Sequence, residues 1–262
     1  MEKLIIAKIG GKVIDQRDRL GKFLSDFSKV SYKKILVHGG GKIATDIGLK
    51  IGIDPKIVEG RRVTDAATLD LVTMVYGGLL NKNIVSQLQS FNCNAIGLTG
   101  ADANIILATK RKVGQTDYGF VGDIVEINLA AIKYFLNYKL VPVLAPLTHD
   151  ETGKLLNTNA DTIATAVAKT ASEEYQTELI FCFEQPGILK ENGSVISRIN
   201  FKEYQVLKTE KTVSDGMIPK LDNAFFALKS GITRIVICQS QNFLDVVYRK
   251  KPLGSELVLD SL

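Results

Sequence analysis

Two lysines stand where lysine is unfavourable. Lys8 lies in the apolar run Leu4-Ile5-Ile6-Ala7-Lys8-Ile9, and a buried ammonium is expensive without a partner. It sits near the carboxyl end of that predicted strand, where parallel sheets bind ligands, and Gly10-Gly11 follow at once. Lys220 belongs to Asp215-Gly216-Met217-Ile218-Pro219-Lys220. Pro219 suits a first helical turn, but a cation there opposes the helix dipole unless an anion lies between. Each lysine is thus beside backbone N–H groups that would receive an oxyanion, and phosphate is the simplest candidate. Asn157-Thr158-Asn159-Ala160-Asp161 concentrates amide and carboxylate side chains beyond what one helix cap needs. A calcium loop does not fit, because its sixth position would be Thr162 and its twelfth Ala168. Arg61-Arg62 adds two guanidinium groups, and arginine offers a bidentate fit to a carboxylate. Neighbours in a strand point oppositely, so one arginine is expected to face the site and the other solvent.

The element that must position these groups centres on Ile35-Leu36-Val37-His38-Gly39-Gly40-Gly41-Lys42. A short apolar strand ends in three glycines, and Ile43 to Leu49 continues at helical spacing. Strand, glycine turn and helix present backbone amides to an anion. The N-terminal strand ending in Gly10-Gly11 repeats that logic. His38 ends its strand beside the glycines, within reach of a ligand.

Strands are expected at 4–9, 35–38, 94–98, 104–109, 140–145, 178–183 and 234–238. Helices are expected at 17–29, 42–51, 66–90, 128–138, 160–171 and 218–230. Alternation of the two predicts an α/β fold, a mostly parallel sheet covered on both faces. Residues 55–64 and 104–125 read as hairpins, candidates for a lid. A composition shift near 171–178 divides an N-terminal lobe, 1–172, from a C-terminal lobe, 173–262.

Composition narrows the chemistry. With two histidines the chain is poorly equipped for triad or histidine acid–base catalysis. Cys93, Cys182 and Cys238 are far apart and in apolar settings, as buried free thiols of a reducing cytoplasm would be. No Cys/His spacing suits zinc, and no metal ligand set is expected. The net charge of +5 is spread without aromatic interleaving, which favours anionic small molecules over nucleic acid. No apolar run approaches the ~20 residues that span a bilayer, and Met1 leads directly into strand pattern rather than a signal peptide.

Gly39, Gly41 and Ala44 fit a dinucleotide fingerprint, with Glu59 downstream as the ribose partner. That fingerprint usually follows the first strand, and a nicotinamide enzyme would leave Lys8, Asp161 and Lys220 without work. Taken in order, Lys8-Ile9-Gly10-Gly11, Val37-His38-Gly39-Gly40-Gly41, Gly60-Arg61-Arg62-Val63-Thr64, Asn157 to Ala168, and Asp215 to Lys220 resemble the amino-acid kinase family. The resemblance runs over nearly the whole chain and is most specific for the acylglutamate branch.

The resemblance implies a three-layer αβα sandwich with an open sheet. N-acetyl-L-glutamate would lie over the N-terminal lobe and ATP with Mg²⁺ over the C-terminal lobe. Lys8 and Lys220 would stabilise the transferring phosphoryl group, and Asp161 would hold both. Gly40, Gly41, Arg62 and Asn157 would bind the acylglutamate. Gly10, Gly11, Glu184, Asp215, Gly216 and Met217 would serve ATP. Glu184 stands where the family usually has Asp. A homodimer formed through N-lobe helices is expected. N-Succinyl-L-glutamate, another amino acid and a ligand-sensing pseudokinase are the alternatives that this resemblance leaves.

Overall fold

The computed structural model describes residues 1–58, 61–190, 192–210, 212 and 218–259, the last without the side chains of Pro219 and Lys220. Glu59, Gly60, Asp215, Gly216, Met217 and the Lys220 side chain lie outside the described residues.

The first part of the chain runs β1 (Glu2–Ile9), α1 (Gly11–Ile14), α2 (Arg17–Ser28), β2 (Lys33–His38), α3 (Ile43–Lys50), β3 (Ile57–Val58) and β4 (Arg61–Arg62). A long helical run follows: α4 (Ala66–Val72), a π-helical segment (Thr73–Leu80) and α5 (Asn81–Ser90). Then come β5 (Ala95–Leu98), β6 (Ile106–Lys110), β7 (Gly122–Ile127), α6 (Leu129–Asn137), β8 (Val141–Leu144), β9 (Leu147–His149), β10 (Leu155–Asn157) and α7 (Ala160–Ala171). The last part holds β11 (Tyr175–Phe183), β12 (Arg198–Asn200), α8 (Phe201–Thr209), α9 (Ile218–Leu228), β13 (Arg234–Gln239), α10 (Phe243–Val247) and β14 (Ser255–Val258).

Eight strands form the main sheet in the order β12-β14-β13-β11-β1-β2-β8-β5. All its pairings are parallel except β13 with β14. Parallel strands covered on both faces need apolar residues on both, which is why Leu4, Ile5, Ile6 and Ala7 are buried without interruption. Leu4 and Ile6 face one core with α7 and α9, while Ile5, Ala7 and Ile9 face the other with Phe23, Phe27 and Phe243. By this alternation Lys8 belongs to the α7 side. Strands from before residue 172 occupy one flank, strands from after it the other, and the halves meet where β1 pairs β11.

The expected hairpin at 104–125 is part of something larger. β6 and β7 join β9 and β10 in a separate four-stranded sheet, ordered β10-β9-β6-β7. β3 and β4 form the other expected hairpin. A bridge from Thr64 to Gly119 ties the hairpin to the segment leading into β7, and another from Val121 to Asn157 joins that segment to β10. Among the described residues no helix is long and apolar enough to cross a membrane.

Candidate active site

The carboxyl ends of β1 and β2 bring the two glycine turns together. A Cβ at Gly11 would lie 2.6 Å from the Gly41 Cα, so the turns touch backbone to backbone. Gly41 has φ +61°, a left-handed conformation that favours glycine. Gly10 N donates to Cys182 O (3.1 Å) and Gly39 N to Ile9 O (3.0 Å), which carries the parallel ladder into both turns. Asp15, just beyond α1, closes the second turn by accepting from Lys42 N at 2.9 and 3.2 Å.

Lys8 lies between these turns and α7. Its Nζ is 2.6 Å from Asp161 Oδ1, and both side chains are buried. The Phe183 ring lies 4.9 Å from the same ammonium, within cation–π range. Asp161 is in the first turn of α7, whose N-cap is Asn159: its side-chain oxygen accepts from Asp161 N (2.8 Å) and Thr162 N (3.1 Å). One residue of the polar motif therefore caps the helix, and another supplies the counter-ion for Lys8. Among the described residues Asp161 Oδ1 makes no aligned hydrogen bond beyond this ion pair, which leaves it capacity for a further donor.

A cavity of about 340 Å³ opens over this pair. Lys8, Gly11, Gly40, Arg62, Asn157 and Asp161 all line it, so residues spread over the chain converge as expected. Arg62 is held by donating from Nη2 to Thr45 Oγ1 of α3 (2.8 Å). Asn157 Nδ2 donates to Thr64 Oγ1 (3.0 Å), which donates to Arg62 O (3.0 Å). Among the described residues Lys8, Arg61, Arg62 and Arg111 line the cavity with one carboxylate, Asp161, and Arg111 is itself paired with Asp123. Such a balance attracts anions and lowers the cost of bringing two together.

Two expectations change. Arg61 does not point away from the site: it and Arg62 both line the cavity. β4 is two residues long, too short for strict alternation to separate long flexible side chains. His38 does not reach a ligand. It is fully buried, its Nδ1–H donating to Gly39 O (2.9 Å) and its Nε2 accepting from Asn81 Nδ2 (3.1 Å). Burial pushes its pKa down to about 4, so the ring is neutral. Glu184, proposed for the nucleotide side, pairs with Lys12 at 2.7 Å outside this cavity. Gly10 and Gly41 sit in the turns behind the lining residues. Asp15, Thr45, Tyr76 and Arg111 belong to the site but are not marked in the sequence. Nothing in their local spacing singles them out, since each acts across tens to hundreds of residues of chain.

Parallel strands feeding glycine turns, with a buried lysine–aspartate pair beneath an anion-attracting cavity, define a kinase-type αβα fold rather than a dinucleotide-binding one. The chain belongs to the amino acid kinase family, whose sequence model matches residues 3–239. It is 49% identical over 262 residues to an acetylglutamate kinase of Cytophaga hutchinsonii, covering 98% of this chain and 99% of the relative. It is 49% identical to an acetylglutamate kinase of Bacteroides fragilis, covering 90% of this chain and 92% of the relative. A solved Streptococcus mutans structure superposes with a TM-score of 0.81 at 28% identity, covering 97% of this chain and 98% of that one.

Proposed function

We propose that this chain transfers the γ-phosphoryl group of ATP to the side-chain carboxylate of N-acetyl-L-glutamate, giving the 5-phosphate in arginine biosynthesis. The observation that carries this reading is the buried Lys8–Asp161 pair between two glycine turns, facing a cavity with guanidinium groups opposite. The 49% identity to proteins named acetylglutamate kinase supports the choice of acceptor.

The acceptor carboxylate has an ordinary pKa near ~4.3 and is ionised at neutral pH. No general base is needed, which suits a site whose one nearby histidine is buried and neutral. An oxygen of the carboxylate forms a bond to the γ-phosphorus as the bond to the ADP oxygen breaks. No proton changes hands in that step. The difficulty is bringing one anion against another, so the protein contributes position and charge. Arg62 and Asn157 hold the α-carboxylate end. Gly40 and Gly41 present amides to the acceptor side and Gly11 presents one to the phosphates, while Gly10, whose N–H is taken by Cys182 O, shapes the turn on the nucleotide side. Lys8 neutralises charge on the transferring group. Asp161 keeps Lys8 in place, and its spare capacity suits a second lysine, the role proposed for Lys220.

Among the described residues no cluster of three His, Cys, Asp or Glu side chains could hold a metal ion. Mg²⁺ is proposed to arrive with ATP as part of the substrate, where it would neutralise phosphate charge. Residues 1–172 are proposed as the acylglutamate lobe and 173–262 as the ATP lobe, with Glu184, Asp215, Gly216 and Met217 on the nucleotide side. The meeting of the sheet halves at β1–β11, beside Lys8, supports that division. A homodimer through N-lobe helices is proposed, supported by exposed Met74 and Leu79 and by an apolar groove at Ile14, Leu20, Leu80 and Ile84. Buried thiols at Cys93, Cys182 and Cys238 support a reducing, cytoplasmic setting.

A hydroxamate assay across N-acetyl-L-glutamate, N-succinyl-L-glutamate, glutamate and aspartate tests the acceptor. Turnover highest with acetylglutamate is expected. A preference of tenfold or more for another acceptor would overturn the assignment.

A further inference from the structure

The helical run from Ala66 to Ser90 is interrupted by the π-helical segment Thr73–Leu80. Widened turns are rare and collect at working sites. This one supplies Tyr76, a side chain 6% exposed that lines the cavity. Its ring lies where a side chain on Gly40 would have to go, and its hydroxyl is 2.5 Å from that Cβ position. The ring therefore packs directly on the backbone of the glycine turn. Directly after the π segment, Asn81 donates to His38 Nε2 (3.1 Å) and to Val143 O (2.9 Å). One helical run thus grips the turn at His38 and at Gly40.

Tyr76 and Arg62 line the same cavity, where the guanidinium charge acts on the phenol, and burial raises the phenol's pKa, so it remains a neutral O–H. Arg62 carries five N–H donors in a fixed fork, and Thr45 takes one at Nη2. A guanidinium gripped on one side only can swing, and a swinging fork binds a carboxylate poorly.

We propose that Tyr76 is a positioning residue of the acylglutamate site, its ring setting Gly40 and its oxygen accepting from Arg62 to aim the guanidinium at the substrate's α-carboxylate. The inference rests on the reading of this cavity as the acylglutamate site. Tyr76 acts through Arg62 and Gly40 on binding, not on the phosphoryl group.

The test is Tyr76→Phe, which keeps the ring against Gly40 and removes only the oxygen, measured alone and with Arg62→Ala. Wild-type turnover of acetylglutamate is recorded first. Its absence would sink the underlying reading and the inference with it. Given turnover, Tyr76→Phe should raise KM for acetylglutamate on the order of tenfold, the scale of a hydrogen bond to a charged group. The KM for ATP and kcat should stay within about twofold. In the Arg62→Ala background the same change should add nothing further to KM, because the group it positions is gone. An unchanged acetylglutamate KM in Tyr76→Phe would overturn the inference while leaving the acceptor assignment intact. So would an effect on kcat alone, or an equal effect with and without Arg62.

Discussion

A lysine at the end of a buried strand must be answered by a carboxylate, and here Asp161 answers from an element more than half the chain away. The pair is held by structure on both sides, Lys8 by the β1 ladder and Asp161 by the Asn159 cap. Lys8 is therefore placed before substrate arrives, and its proposed role is to act where charge develops. Lys8→Ala should lower kcat by ~10²-fold or more with KM much less affected. Steady-state kinetics checks this, and a variant with wild-type kcat would remove Lys8 from the mechanism. Arg62 is proposed to bind a part of the substrate that does not change during the reaction. Arg62→Ala should raise KM for the acylglutamate by ~10²-fold and leave KM for ATP nearly alone. Movement of the ATP constant alone would contradict that role. At this scale the sequence was legible wherever a residue broke a local rule. Lys8 did so in an apolar strand, and so did the crowded polar segment at 157–161. Tyr76 and Thr45 break no rule, since an aromatic or a threonine on a helix is ordinary, and only folding brings them to Arg62.

The strands and helices that carry the site were legible because they are long and periodic. β1, β2, β11, α2 and α7 lie where apolar spacing puts them. α1, β12, α8, β14 and α10 were missed: α1, the two strands and α10 have three to five residues, too few for a period to register, and α8, nine residues long, buries only Tyr204 and so shows no clear apolar stripe. The π segment could not be foreseen either, since its sequence continues a helical pattern without a break. Its partner in the turn, His38, leads to a prediction about how β2 is joined to α5. Burial holds the imidazole near a pKa of about 4, below the 6.5 of an exposed histidine. The unfolded chain therefore binds a proton first as pH falls. The stabilising effect is complete above 6.5 and is lost progressively from there to about 4. The full loss is roughly 3 kcal/mol. Urea midpoints for wild type should thus drop more steeply over that window than those of His38→Gln. Parallel curves for the two proteins would contradict the buried, neutral state.

Across the whole molecule, two halves of the chain build one sheet, joined where β1 pairs β11 from Glu2–Tyr175 to Ile9–Cys182. An αβα architecture with a mostly parallel sheet was legible from the alternation of elements. The second sheet was not, because β9 and β10 are three residues each and their partners β6 and β7 were visible only as a hairpin. Continuity across β1–β11 leaves neither half a complete core of its own. Urea unfolding should give one transition, coincident by circular dichroism and tyrosine fluorescence, and two separate transitions would show the halves to be independent. The proposed reaction turns on one event: a carboxylate oxygen, placed by Arg62 and the glycine turns, attacks phosphorus beside Lys8. N-Acetyl-L-glutamate labelled with ¹⁸O in its side-chain carboxylate tests it, with ATP as donor and the product followed by ³¹P nuclear magnetic resonance. The expected product is an acyl phosphate whose phosphorus signal carries the isotope shift of a directly bonded ¹⁸O. Phosphate released without that shift, or no product that depends on the labelled acceptor, would contradict it.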